Sequence, residues 1–370
     1  MNEFDQYIRQ GEPSQQERAA YWRTAIGLQA VDGLQTSDYL KTTALKHIEG
    51  EINIDEARQL IKTYYQSKAT REAIDDDYQE ADQASANITK ILSSVSLDFS
   101  ANGFIALHRR IFEGVLKHAG EIRRYDITKK EWVLDADTVN YLNWEDLYRA
   151  LEFDIEQERQ FSYKNLSLEQ QVLHIAQFVS GLWQIHPFGE GNTRTTAVFT
   201  ILYLRHIGFS VENNLFADKS WYFRNALVRA NYKNVVKGID YSPVYLERFF
   251  RNLLMGEQWD LRNRYLHISP APEWQVQPQL GSEEGVTTTE KTTEKTTEKT
   301  TEKTTEKSAE SIILREMRSN PYVTQKQLAI KCGLTEDGVY YVVSKLRRSG
   351  VVKRVGGRKL GHWEVLVGIC

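Results

Sequence analysis

Nine residues, His186-Pro187-Phe188-Gly189-Glu190-Gly191-Asn192-Thr193-Arg194, gather an imidazole, a carboxylate, an amide and a guanidinium in one short run. These are the parts needed for a general base, a metal ligand and two phosphate contacts. His186 has an ordinary pKa near 6.5 and can take a proton from a weak hydroxyl nucleophile at neutral pH. One carboxylate, Glu190, suffices for Mg²⁺ when phosphate oxygens and water complete the shell. Gly189 and Gly191 let backbone approach a phosphate closely, Asn192 and Thr193 add polar groups, and Arg194 offers a charge-assisted fork. Each residue could instead be structural, with His186-Pro187 merely breaking two core helices.

The flanking sequence decides how such a run would be held. Apolar residues recur at helical spacing from Leu166 to Ile185 and again from Thr193 to His206. The run is therefore expected to be a loop opening onto a helix N-terminus, where free N–H groups and the helix dipole favour an anion. Further helices are expected over Asp98–Lys117, Ser220–Tyr232 and Ser242–Met255, several with Ser, Thr or Asp caps. Ile122–Ile127 and Glu131–Leu134, joined by Thr128-Lys129-Lys130, read as a short β-hairpin with an unpaired edge. His108, His174 and His206 lie in helical patterns and are assigned to packing, as are Trp183 and Phe188, which would anchor the loop.

With its flanks, the loop resembles that of the Fic proteins, His-x-Phe-x-(Asp/Glu)-Gly-Asn-(Gly/Lys)-Arg, through His186, Phe188, Glu190, Gly191, Asn192 and Arg194. Thr193 departs mildly from that pattern, and a second arginine common three residues later is Ala197 here. The resemblance spans roughly residues 15 to 265. It implies an all-α Fic fold with a short β-hairpin flap, on which a target segment is laid as an added strand through Ile122, Arg123, Tyr125 and Ile127. It further implies ATP and Mg²⁺, with His186 as base, Glu190 as metal ligand, and Gly189, Gly191, Asn192, Thr193 and Arg194 around the nucleotide phosphates. Asn231 falls where the family builds its adenosine pocket. The partner would be a protein with a Ser, Thr or Tyr hydroxyl.

Composition is that of an ordinary soluble chain: 370 residues, 41% hydrophobic and 26% charged. No long apolar run or signal-like start is visible, so a cytoplasmic protein without membrane association is expected. Two cysteines, Cys332 and Cys370, lack any zinc-like spacing with histidine and argue against a disulfide framework. The net charge of −3 is unevenly spread: residues 308–370 carry eleven Lys plus Arg against five Asp plus Glu, a balance of +6 that leaves −9 for the rest.

Three domains and a linker are expected. Residues 1–66 form a helical module, with helices at Gln16–Asp32, Thr36–Ile48 and Asn53–Tyr65, the last opening on a capping pattern. Residues 67–265 form the Fic domain. A linker follows at 266–307, ending in five tandem copies of Thr-Thr-Glu-Lys from Thr288 to Lys307; too polar to offset the entropy of ordering, roughly 40 residues of such coil span about 35 Å. Residues 308–370 resemble a winged helix-turn-helix, a separate α+β domain: helices Ala309–Arg318, Thr324–Lys331 and Thr335–Arg347, then strands Val351–Val355 and His362–Leu366. Lys345, Arg347, Arg348, Arg358 and Lys359 would face the phosphates of duplex DNA. Glu336 and Asp337 at the start of the recognition helix favour protein contact instead.

The first module is similar to an antitoxin-like inhibitory module fused ahead of some Fic domains. There an inhibitory (Ser/Thr)-x-x-x-Glu-(Gly/Asn) helix sets its glutamate on the second loop arginine. The best candidate here is Asp32-Gly33, with Leu28 where Ser or Thr should stand. With Ala197 at the arginine position, the module is expected to cover the site sterically while Asp32 contributes little. The reading as a whole is a protein adenylyltransferase, a nucleotidyltransferase moving AMP from ATP to a protein hydroxyl. The alternatives are a DNA-binding regulator whose Fic domain is a sensor or inactive, and a Fic-type phosphotransferase, against which Gly191 argues.

Overall fold

The computed structural model describes residues 4–67, 78–94, 96–211, 214–269 and discontinuous stretches between 312 and 365. The chain divides into two compact units, Met1–Glu283 and Glu284–Cys370. The linker repeats lie outside the described residues.

The first unit is helical. Its elements are α1 (Asp5–Gln10), α2 (Pro13–Gly27) continued by a 3₁₀ turn (Leu28–Asp32), α3 (Asp38–Glu49), α4 (Ile54–Gln66), α5 (Gln79–Leu92), α6 (Ala101–Ile111), α7 (Leu147–Gln160), α8 (Leu168–Ile185), α9 (Asn192–His206), α10 (Asn214–Asp218), α11 (Ser220–Ala230) and α12 (Val244–Met255). Local chemistry sets several boundaries. Ser167 and Gln170 form a capping box at the start of α8, and Asn53 and Glu56 do the same for α4. Ser37 and Ser100 cap α3 and α6. α6 stops at Ile111, short of the expected Lys117, because Gly114 turns the chain at φ 78°.

α9 is the central helix, buried along its length from Asn192 to Leu204. Its threonines are tolerated there because Thr195 and Thr200 donate to the carbonyls of Gly191 and Thr196, four residues back. Around it pack Phe104, Phe188, Phe199, Leu182, Phe223 and Phe249 among others. A second core, built on Trp22, Leu40, Ile48, Ile61 and Tyr65, belongs to the N-terminal helices. Those helices are not detached from the rest: Ala25 and Leu28 join the main core, and Asp82 of α5 accepts from the backbone and hydroxyl of Ser37 and from Tyr65.

The expected flap hairpin is not a hairpin. The stretch from 121 to 131 carries no strand ladder and bends at Arg124-Tyr125, and its second arm curls into a 3₁₀ turn, Trp132–Leu134. Burial of Val133 and Leu134 in the core, with Asp135 and Ala136 at positive φ, pulls that arm away from its would-be partner. The first arm bonds to the loop instead: Arg123 N donates to the carbonyl of Pro187 at 2.9 Å.

In the second unit Thr324 caps the helix Gln325–Cys332, and β1 (Val352–Val355) pairs antiparallel with β2 (His362–Val365) in the register Val352 to Val365 and Lys353 to Glu364. Ile313, Met317, Leu328, Val342, Leu346 and Trp363 close a small core, and the Trp363 indole donates to the carbonyl of Val323. Arg347 is described and exposed. Lys345, Arg348, Arg358 and Lys359, with the start of the expected recognition helix, lie outside the described residues. Cys332 is half-buried against this small core.

Candidate active site

α8 ends at His186, which adopts the left-handed conformation at φ 51° and ψ 58°, and α9 begins at Gly191, also left-handed at φ 70°. Between them the loop is tied to itself. Asn192 accepts from the backbone N–H of Phe188 at 3.0 Å and donates to its carbonyl at 2.7 Å. The asparagine expected to meet phosphate therefore spends its amide holding the loop closed. Thr193 likewise accepts from the Trp183 indole at 3.0 Å. Gly191 is required for space as well as for its φ: a Cβ there would stand 2.3 Å from the Phe112 ring. At Gly189 a Cβ would meet the Tyr125 hydroxyl at 2.7 Å.

His186 is 1% exposed and lies against Tyr141 and Trp183. Its Nδ1 sits 3.1 Å from the carbonyl of Trp183. A carbonyl only accepts, so Nδ1 carries the proton and Nε2 is left as the acceptor. Nε2 is buried and has no hydrogen-bond partner among the described residues. Burial holds the imidazole well below its usual pKa, and the positive charges of Lys129, Arg123 and Arg224 push the same way. The ring is neutral at neutral pH and presents a lone pair.

Two residues outside the loop fix it in place. Arg123, 4% exposed, donates to the carbonyls of His186 (2.9 Å), Tyr125 (2.5 Å) and Leu142 (2.5 Å). It is a brace, unlike Tyr125, which is 57% exposed. Ile122 and Ile127 are half-buried. His108 stacks on Phe188, with 3.7 Å between ring centroids, accepts from Gly120 N at Nδ1 and so donates from Nε2 to the carbonyl of Glu190 at 3.1 Å. Burial lowers its pKa to about 4. Sequence placed His108 in packing; its role in steering the Glu190 backbone shows only in the folded contacts.

The Glu190 side chain is exposed. No cluster of three metal-binding side chains occurs among the described residues, so a cation here would rest on this carboxylate plus substrate oxygens and water, a donor set that suits Mg²⁺. Glu190, Gly189, Tyr125, Arg124 and Ile122 line a cleft of about 370 Å³ that reaches back to His108 and Lys117. Asn231 is not aimed at any ligand: its amide donates to the carbonyl and hydroxyl of Ser180 and to the carbonyl of Leu227, bolting the end of α11 to α8.

Arg194 corrects the expectation about Asp32. The guanidinium is 2% exposed, over the Phe112 ring, and donates to Gln29 Oε1 at 2.9 Å and to Glu80 Oε1 at 2.6 Å. Its Nε lies 2.7 Å from Asp32 Oδ2, close enough for an ion pair though not aligned for a hydrogen bond. Asp32 thus has a guanidinium opposite after all, supplied by the first loop arginine, while Ala197 is wholly buried in the core. The reasoning from position 197 failed because the 3₁₀ turn carrying Gln29 and Asp32 reaches down to α9 one turn earlier. Glu80 had no signal in sequence.

Residues 98–204 match the Fic/DOC family, and residues 312–353 match a family described as winged helix-turn-helix DNA-binding. No curated protein matches the chain. Similar solved structures include the N-terminal Fic domain of a Bartonella effector protein, at 17% identity and TM-score 0.38, covering 49% of this chain and 84% of that one. A Fic family protein from Desulfovibrio desulfuricans is 10% identical with TM-score 0.44, covering 99% and 91%. BepC from Bartonella tribocorum, solved with bound AMPPNP, is 16% identical with TM-score 0.35, covering 50% and 90%. The chain thus carries a Fic/DOC family domain around the loop His186–Arg194, and a winged helix-turn-helix toward its C-terminal end.

Proposed function

We propose that the Fic domain transfers AMP from ATP to a hydroxyl of a protein substrate. The observation that carries this reading is the setting of His186: a buried imidazole with Nδ1 on the Trp183 carbonyl and an Nε2 that has no partner among the described residues, at a loop that opens onto the N-terminus of α9. The target hydroxyl oxygen attacks the α-phosphorus, its proton passes to Nε2, and the bond to the bridging oxygen breaks as pyrophosphate leaves. General-base assistance of this kind is worth roughly 10²–10⁴-fold. The α9 N-terminus favours the phosphate charge, and Arg194, once released from Asp32 and Glu80, adds a fork of donors. Glu190 would hold Mg²⁺, which neutralises charge on the phosphates as pyrophosphate departs. The cleft beside Tyr125 and Glu190 accepts the target segment along the unladdered edge of 121–127.

The test is incubation of the chain, with its clamp on Arg194 opened by substitution, with Mg²⁺, lysate and ATP labelled at the α or the γ phosphorus. Label retained from the α position alone supports AMP transfer; label from γ alone would replace it by phosphotransfer.

A second activity is supported by the match at 312–353 and the β1–β2 wing: binding of duplex DNA. Phosphate-dominated binding by the full chain falls steeply between about 50 and 200 mM salt. Loss of retention on truncation after Glu283 would assign it to the second unit.

A further inference from the structure

Two tyrosines stand at the loop, and their hydroxyls are placed differently. The Tyr141 ring lies on the His186 imidazole with 4.1 Å between centroids, but its hydroxyl donates to Glu131 Oε1 at 3.2 Å, and Glu131 is fully buried and paired with Arg224. That oxygen is committed to the interior. Tyr125 is 57% exposed, and its hydroxyl rests against the loop backbone, where a Cβ at Gly189 would stand 2.7 Å from it. This hydroxyl makes no hydrogen bond with the described residues. Gly189 lies between His186 and Glu190 in the chain, so the oxygen meets the stretch of loop that joins base to carboxylate. The backbone behind it is held, because Arg123 donates to the carbonyls of both His186 (2.9 Å) and Tyr125 (2.5 Å) and so ties the two residues to one buried guanidinium. Of the residues that line the cleft of about 370 Å³ beside Glu190, Tyr125 alone carries a hydroxyl.

Resting on the adenylyl-transfer reading, we propose that Tyr125 is a self-modification site, whose hydroxyl accepts AMP from ATP bound to its own chain. The phenol oxygen bonds to the α-phosphorus, its proton passes to His186 Nε2, and the bond from that phosphorus to the bridging oxygen breaks as pyrophosphate leaves. The product is a phosphodiester between Tyr125 and AMP. A phenol is a weak nucleophile until such a base takes its proton. Attack by a hydroxyl already lying on the loop needs no encounter with a second protein, so it competes well with transfer to a scarce target. The exposed side chain, held by no partner at its hydroxyl, is able to move from Gly189 to the phosphate. The modified residue then carries AMP on the wall of the cleft proposed for the target segment, and that cleft is occupied by the chain's own product.

The experiment takes the full chain with Asp32→Ala and Glu80→Ala as the parent and incubates it with Mg²⁺ and ATP labelled at the α phosphorus, with and without lysate. The parent should label itself at an initial fractional rate that does not change with protein concentration, as a step within one chain requires. Mass-spectrometric fragmentation of the tryptic peptide 125–129 should place AMP on Tyr125 rather than on Thr128, the other hydroxyl in that peptide. Tyr125→Phe keeps the ring and removes the oxygen, so it should lose the bulk of the self-label while still binding ATP. Self-label undiminished in Tyr125→Phe, or mapped to another residue, overturns the assignment. So does loss of ATP binding in Tyr125→Phe, which would make the side chain a nucleotide contact, and a fractional rate that rises in proportion to concentration removes the step within one chain. A parent that labels a lysate protein but not itself removes this proposal alone; a parent that labels neither removes the adenylyl-transfer reading with it.

Discussion

Under the proposed transfer, the contacts that Arg194 makes with Gln29, Glu80 and Asp32 would set how much of the chain is competent, and their strength follows from the geometry. Breaking one half of a fully buried ion pair costs about 3–5 kcal/mol, but that figure does not apply, since the Asp32 and Glu80 side chains retain 33% and 34% exposure. Glu80 makes an aligned bond to Nη2 at 2.6 Å, and such a charge-assisted bond contributes about 1.5–3 kcal/mol. Asp32 is close without alignment, so its contribution belongs nearer the ~1 kcal/mol of a partly exposed pair. Glu80→Ala should therefore raise the open population about tenfold or more, Asp32→Ala about fivefold, and the double substitution about a hundredfold, taking tenfold per 1.4 kcal/mol. Initial rates of auto-modification with α-labelled ATP read this directly, with a thermal melt to confirm that each variant stays folded. Full activation by Asp32→Ala with no effect of Glu80→Ala would refute the ranking. No activation by the double variant would show that the N-terminal helices block the site by bulk alone.

Other expectations follow from single contacts. His186→Asn, chosen because asparagine tolerates the left-handed conformation, should lower transfer by roughly 10²–10⁴-fold with ATP binding retained; near wild-type transfer would dismiss the assigned base. Gly191→Ala should lower the melting temperature and abolish nucleotide binding, because its Cβ meets the Phe112 ring at 2.3 Å; adding Phe112→Ala should recover part of the loss. His108→Phe keeps the stack on Phe188 but removes the bond to the Glu190 carbonyl, so the Mg²⁺ concentration for half-maximal activity should rise while melting changes little. His47 and His108 both have folded pKa values depressed to about 4 by burial. The unfolded chain then binds more protons than the folded one below about pH 6.5, so this stability is present above that pH and is lost as pH falls toward 4. Denaturant midpoints that stay flat between pH 7 and 5 would contradict the buried, neutral assignment.

The local frame of the candidate site was legible in the chain because its order is local. A helix that ends at His186, a glycine at 191 and a helix that starts at Asn192 follow from spacing and caps, since helix periodicity and capping are set by near neighbours. The winged pair β1 and β2 was readable for the same reason. α5 was missed: its Ala81, Ala84, Ser85 and Ala86 give little apolar contrast, and it is a helix because small side chains let α2 pack closely on it. The flap failed as a hairpin because the core claimed Val133 and Leu134, a competition that local alternation does not reveal. What each polar group does was decided only in three dimensions. Asn192 and Asn231 have the chemistry to bind a ligand, yet close neighbours satisfy them first, since a buried amide takes the nearest partner to avoid its desolvation cost. Arg194 finds Gln29 and Glu80 across 165 and 114 residues of sequence. Types and spacing determine which chemistry is available; only packing decides which of those groups are left free to perform it.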